Sequence, residues 1–302
     1  LKMRNYNLIE DGLYLGNLLA TTSSMIMNQL KIEVVITLMD YPIFKKFDGI
    51  QYHFIELLDI VNEDIISHFP FAYNIISKAQ QEGKNVYVHC QAGVSRSATI
   101  VISFLMKKYG INYDKALLMV KKSRRRVNPN CGFICQLELY ENWGYQIDGR
   151  NKDYRKHVIK NLIYKYLNSN GFSLRKRIIV NAFINYFSKI KQVDDKLSES
   201  EKENKYLCKF CKNLLFHQMN LMQTEVDNNN CDKLFVEPQE WMMDQIKSIS
   251  NFDKESIIRC LKCRNKIGNF AFETFTCSCF LHREFSGYFI VKIGKDVVMR
   301  DN

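Results

Sequence analysis

The run His89-Cys90-Gln91-Ala92-Gly93-Val94-Ser95-Arg96-Ser97 brings a thiol, a glycine-bearing loop, two hydroxyls and a guanidinium into nine residues. Before it, residues 85–89 read as a buried strand, and after it residues 98–105 read as a buried helix. A strand-loop-helix junction points successive peptide N–H groups and the positive end of the helix at the loop, which makes it attract phosphate. The same field should lower the Cys90 pKa well below the ~8.5 of a free thiol, leaving a thiolate able to attack phosphorus. Arg96 presents a planar fork that grips two phosphate oxygens at once, which a lysine cannot do. Ser97 is placed to hydrogen-bond the sulfur, both at rest and when the sulfur departs, while His89 is read as orienting the loop. A lone cysteine at a strand end is ordinarily a small core residue. Here the loop around it argues for nucleophilic attack on a phosphate ester.

Such chemistry needs an acid for the departing oxygen and later a base for water. Asp59 is the candidate: it follows the strand-like Tyr52-His53-Phe54-Ile55 and precedes a helix-like run over 64–81, so it sits on a loop able to close over the cleft. Glu63 and Asp64 compete for the role, but both read more simply as charges at a helix start.

Cys-x5-Arg-Ser after a histidine resembles the protein tyrosine phosphatase superfamily, and the wording of residues 89–97 resembles its dual-specificity branch. That resemblance extends from about Asn7 to Gln146, through Gly12-Leu13-Tyr14-Leu15-Gly16-Asn17, Val34-Val35-Ile36-Thr37-Leu38 and Asn128-Pro129-Asn130-Cys131-Gly132-Phe133. It implies Asp59 as general acid, a phosphocysteine intermediate, no metal at that site, and Cys90, Gln91, Ala92, Gly93, Val94, Ser95 and Arg96 around the phosphate. The loop interior carries no lysine, whereas relatives acting on polyphosphorylated lipids tend to. Phosphoproteins are therefore the expected substrates, with an RNA-directed activity as the alternative.

A chain of 302 residues exceeds what this motif set uses and calls for more than one domain. No run of about twenty apolar residues occurs, and the start lacks a secretory pattern. A protein of the cytoplasm and nucleus, monomeric and without a membrane span, is expected. Cysteines in a reducing compartment are better read as thiols and metal ligands than as disulfides. Cys131 and Cys135 read as helix-packing residues. The later ones fall as Cys208-x2-Cys211, Cys231, Cys260-x2-Cys263 and Cys277-x-Cys279, paired hooks that suit tetrahedral zinc. Seven thiols leave one position short of two closed sites. His217 is the preferred eighth ligand and His282 the competitor. The simplest pairing sets Cys208, Cys211, Cys260 and Cys263 on one zinc, and His217, Cys231, Cys277 and Cys279 on the other, both structural. Phe235-Val236-Glu237-Pro238-Gln239-Glu240-Trp241-Met242 and the hooks that follow resemble the zinc-binding tail of Yvh-type dual-specificity phosphatases, although Phe280 stands where that family usually has glycine. This second resemblance implies a part in large-ribosomal-subunit (pre-60S) maturation that does not require catalysis.

The net charge of +11 is concentrated in residues 151–205, which carry +7 against +3 before and +1 after. Apolar residues there recur at helical spacing, from Val158 to Leu167 and from Ile178 to Phe187, predicting two amphipathic helices. Such a basic connector suits a phosphate backbone or a solvated helix face equally. The run Arg124-Arg125-Arg126 falls where the resembled phosphatases carry basic residues near the active-site rim, which implies a place to recruit acidic substrate or rRNA. The architecture expected is α/β: a phosphatase domain with a central mixed sheet flanked by helices (1–150), the helical connector (151–205) and a small α+β domain holding two zinc ions (206–302).

Overall fold

A computed structural model describes residues 5–147, 149, 151–167, 181, 184, 204–222, 232–249, 256–272 and 289–301. The chain divides into two compact units, Leu1–Ile147 and Asp148–Asn302.

The first unit is built on a five-stranded sheet. Its strands are β1 (Tyr6–Glu10), β2 (Leu13–Asn17), β3 (Ile32–Met39), β4 (Gln51–Glu56) and β5 (Asn85–Cys90), in the spatial order β1-β2-β5-β3-β4. Only β1 runs antiparallel to its neighbour; β2, β5, β3 and β4 are parallel. The middle strand β5 is buried on both faces: Val86 and Val88 enter one core and Tyr87 the other. A continuous apolar run is what a two-sided parallel strand needs, which is why alternation is missing from the sequence there.

The helices are α1 (Leu18–Thr21), α2 (Ser24–Gln29), α3 (Phe69–Gln81), α4 (Arg96–Tyr109), α5 (Tyr113–Ser123) and α6 (Cys131–Asn142). Helix α4 is buried without a break from Arg96 to Met106, so it is the central helix of the unit, wrapped by α3, α5 and α6. It stops at Gly110, whose φ of +60° suits the left-handed cap a side chain resists. Asn112 and Asn130 cap α5 and α6 by accepting the N–H of Lys115 and Phe133, each at 3.0 Å. The helix-like run over 64–81 resolves into a 3-10 turn at Ile66–His68 and then α3. Pro70 accounts for the break, since a residue without an N–H fits the first turn of an α-helix but not its interior.

The second unit contains α7 (Lys152–Leu167) and two antiparallel sheets. Strands β6 (Lys205–Cys208), β7 (Leu214–His217) and β12 (Val298–Asp301) form one; β8 (Lys233–Val236), β9 (Ser256–Arg259), β10 (Lys266–Phe272) and β11 (Phe289–Gly294) form the other. A short helix, α8 (Met243–Ser248), precedes β9. Within α7, Tyr154, Arg155, Val158 and Ile159 are buried; the second amphipathic stretch of the connector lies largely outside the described residues.

Candidate active site

Strand β5 delivers Cys90, 1% exposed, to the sheet's carboxyl edge, and α4 begins at Arg96. The five residues between form a cradle. Gly93 donates its N–H to Cys90 Sγ at 3.3 Å and the Ser97 hydroxyl donates at 3.2 Å. Burial alone would raise the thiol pKa, but the Ser97 hydroxyl and the N–H groups of Ser97, Val94 and Gly93 outweigh it and hold the group below the ordinary thiol range. Gly93 has φ +68°, and a Cβ there would strike the Gly16 carbonyl at the end of β2. The loop therefore needs glycine on both counts.

His89 is fully buried beneath the loop. Its Nδ1 lies 3.4 Å from the Cys90 carbonyl, which can only accept, so Nδ1 carries the hydrogen and Nε2 accepts the Thr37 hydroxyl at 2.8 Å. Burial pulls its pKa down to about 4, so the ring is neutral at physiological pH.

The Asp59 carboxylate lies over the same loop. Its Oδ1 accepts the Ser95 hydroxyl at 2.7 Å and the Asn130 amide Nδ2 at 2.9 Å. Because Asn130 Oδ1 is committed to capping α6, its amide can only turn Nδ2 toward Asp59. Arg96 Nη1 donates to the Leu57 carbonyl at 3.0 Å, tying the Asp59 loop to the cradle. Arg96 Nε is buried and has no hydrogen-bond partner among the described residues, with Asp59 Oδ2 standing 3.6 Å away. That donor is open to an oxyanion. Asp64 instead accepts the Ser67 hydroxyl at 2.7 Å at the start of the 3-10 turn, and the Glu63 carbonyl accepts the Gln136 amide at 2.8 Å.

Sequence reasoning missed Arg124 and Asn130. Arg124 is 3% exposed. Its Nε donates to the Gly93 carbonyl at 2.7 Å and its Nη2 to the Ala92 carbonyl at 3.0 Å, while Arg126 reaches the Ala92 carbonyl at 2.6 Å. Both arginines hold the loop by its carbonyls, and Arg124 is thereby turned inward instead of standing as a rim charge. Burial, with Arg126 beside it, brings Arg124 down to about 10, which leaves it a cation at neutral pH. Nothing in the three-arginine run signals this inward turn. Asn130 had a signal in its spacing before Phe133, an N-cap pattern.

In the second unit, the thiols of Cys208, Cys211, Cys260 and Cys263 lie within 4.8 Å of one another. Each hook is a tight knuckle. Lys212 (φ +60°) donates its N–H to the Cys208 carbonyl, and Arg264 (φ +62°) does the same to Cys260. The Asn213 and Asn265 carbonyls accept back from Cys208 and Cys260. Cys208 and Cys263 sulfurs are 3.7 Å apart and those of Cys211 and Cys260 3.6 Å. A tetrahedron with metal–sulfur bonds of about 2.3 Å has edges of about 3.8 Å, so the four residues fit a thiolate-bound zinc ion. His217 ends β7 and is not among these four. Cys231, Cys277, Cys279 and His282 lie outside the described residues.

The thiol thus sits among peptide N–H groups at the end of β5, with the Asp59 carboxylate tethered to the same loop. The dual specificity phosphatase catalytic domain matches residues 13–143, and the chain belongs to the dual-specificity phosphatase family. It is therefore a protein phosphatase. It is 36% identical over 138 residues to dual specificity protein phosphatase 1B of Arabidopsis thaliana, covering 44% of this chain and 80% of that one. Over 295 residues it is 26% identical to dual specificity protein phosphatase 12 of Rattus norvegicus, covering 90% of this chain and 82% of the relative. This second likeness runs through both units. The crystal structure of the Yvh1 phosphatase domain from Chaetomium thermophilum is 25% identical, with a TM-score of 0.44, and covers 47% of this chain and 99% of its own.

Proposed function

We propose that this chain hydrolyses phosphotyrosine and phosphoserine or phosphothreonine in proteins through a phosphocysteine intermediate. The Cys90 thiolate attacks phosphorus as the bond to the side-chain oxygen breaks, and Asp59 passes its proton to that oxygen. Water, giving a proton to the Asp59 carboxylate, then attacks phosphorus, releasing inorganic phosphate and restoring the thiolate. Arg96 and the loop N–H groups hold the equatorial oxygens, and Ser97 stabilises sulfur at both ends of the cycle. One observation carries the reading: Cys90 Sγ accepts from Gly93 N and the Ser97 hydroxyl while Asp59 is bonded to Ser95 of the same loop. Replacing Cys90 by Ser should abolish hydrolysis of an aryl phosphate while the melting profile and metal content stay those of the native chain. Retained turnover rejects the mechanism.

The second unit supports a further reading. It holds two structural zinc ions, one on Cys208, Cys211, Cys260 and Cys263 and one on His217, Cys231, Cys277 and Cys279. With four protein ligands on each, no position is left for water. The same unit binds pre-60S ribosomal particles in the nucleus and cytoplasm, independently of catalysis. Its support is the +7 charge of residues 151–205, the paired cysteine knuckles and the likeness to a relative that spans both units. Co-sedimentation with pre-60S particles should survive Cys90→Ser and be lost in Cys208→Ser. Failure of the native chain to sediment at low and moderate salt rejects this role and leaves the phosphatase reading intact.

A further inference from the structure

A loop whose peptide N–H groups converge on an anion turns its carbonyls the other way, into the protein, where an unpaired carbonyl is costly. Here each outward carbonyl from Gln91 to Val94 has a donor. Leu18 N serves Gln91 at 3.3 Å and Asn128 N serves Val94 at 2.9 Å. The two peptides between them, Ala92 and Gly93, depend on arginines. Arg124 spans both, and its third nitrogen, Nη1, donates to Asn7 Oδ1 at 2.8 Å.

We propose that Arg124 is a positioning residue for phosphate-ester cleavage, its fork holding the Ala92 and Gly93 carbonyls outward so that the loop N–H groups face Cys90 and the bound phosphate. Gly93 is the sensitive peptide. Its N–H is one of those that reach Cys90 Sγ, and its φ of +68° is a conformation to which an unrestrained chain is not confined. The Gly16 carbonyl leaves no room there for a side chain that would restrict the backbone, and Arg124 supplies the restraint through the Gly93 carbonyl. Arg126 adds a second donor at the Ala92 carbonyl, whereas the donor at the Gly93 carbonyl is Arg124 Nε. An ammonium would supply the charge but not three donors in one plane. The inference rests on Cys90 being the nucleophile.

The test uses the full chain with Arg124→Ala and Arg124→Lys, p-nitrophenyl phosphate as substrate, and iodoacetamide labelling of the Cys90 peptide as a function of pH, read by mass spectrometry. Arg124→Ala is expected to lower kcat about 100-fold, with a smaller change in KM, and to move the labelling midpoint of Cys90 upward. Added guanidinium ion should recover part of the loss, and Arg124→Lys should stay close to Arg124→Ala. A purely structural contact would change the melting temperature without moving the labelling midpoint. Three results overturn the assignment: kcat within about threefold of native, a fall in kcat with the midpoint unmoved, or full recovery by lysine. If Arg124→Ala does not fold, the lysine variant carries the same expectations. A native chain with neither turnover nor a low labelling midpoint would defeat the nucleophile reading itself, whereas a normal native chain with normal variants defeats only the role of Arg124.

Discussion

Asp59 and His89 show how far single side chains determine the chemistry. Protonating the departing oxygen matters most when that oxygen is basic. Asp59→Asn should therefore slow hydrolysis of phosphotyrosine and phosphoserine peptides by a factor of about 100 or more, and hydrolysis of p-nitrophenyl phosphate distinctly less. Comparing the variant's rates across a series of leaving groups checks this, and an equal loss for all of them would remove Asp59 from the proton transfer. The buried imidazole of His89 bears on stability. Its folded pKa of about 4 lies below the ordinary 6.5 because burial disfavours the cation. Neutral His89 thus stabilises the fold above about pH 6.5, and that contribution is lost as pH falls through the folded value. The span corresponds to about 3 kcal/mol. Denaturant titrations at pH 7 and pH 4 should show a smaller acid loss in His89→Asn than in the native chain by roughly that amount. Of these groups, Cys90, Arg96, Ser97 and His89 were legible as candidates because their types and spacing suit a reaction, and Asp59 through its place on a loop after β4 and the family resemblance. The role of Arg124 was not, and Asn130 offered only its cap spacing, because their contacts with Gly93 and Asp59 are made across 31 and 71 residues of chain, a distance that no local pattern encodes.

At the scale of elements, the strand-loop-helix around Cys90 follows directly from its composition: a two-sided apolar run, a glycine loop and a helix buried all round. The order of the sheet does not, since pairing of β5 between β2 and β3 joins segments far apart in sequence. Helix α7 shows a similar gap. Its spacing predicted an amphipathic helix in a basic connector, yet its single arginine points inward. Arg155, 2% exposed, sets Nε 3.0 Å from the Glu237 carboxylate, which also accepts the Asn220 amide at 2.8 Å, and donates to the Gly149 carbonyl at 2.7 Å. Removing one partner of such a buried pair strands the other. Arg155→Ala should cost the second unit about 3–5 kcal/mol, and Arg155→Met with Glu237→Met together considerably less. Denaturant unfolding of the full chain, followed through Trp241, measures both. The indole of that residue is bonded to the Leu215 carbonyl at 2.7 Å, within the same unit.

For the molecule as a whole, the division into two compact units separates the phosphate loop from the thiol knuckles. Chelating the metal should therefore unfold the second unit and leave aryl phosphate turnover in place, and element analysis should find two zinc ions per native chain and fewer in Cys208→Ser. A chelated chain that loses turnover in step with metal would show that the units are coupled. No described helix is long and apolar enough to cross a membrane, and the charge of +11 favours polyanionic partners at low salt. The pairing of Cys211 with Cys260 has a last effect, one that operates on the denatured chain. An ion holding both sulfurs staples positions 49 residues apart, and closing a loop of that length removes chain entropy equivalent to about 4 kcal/mol by the usual loop-closure relation. Zinc would thus act as a removable crosslink between the two knuckles, limiting how far Cys211 and Cys260 part once the unit opens.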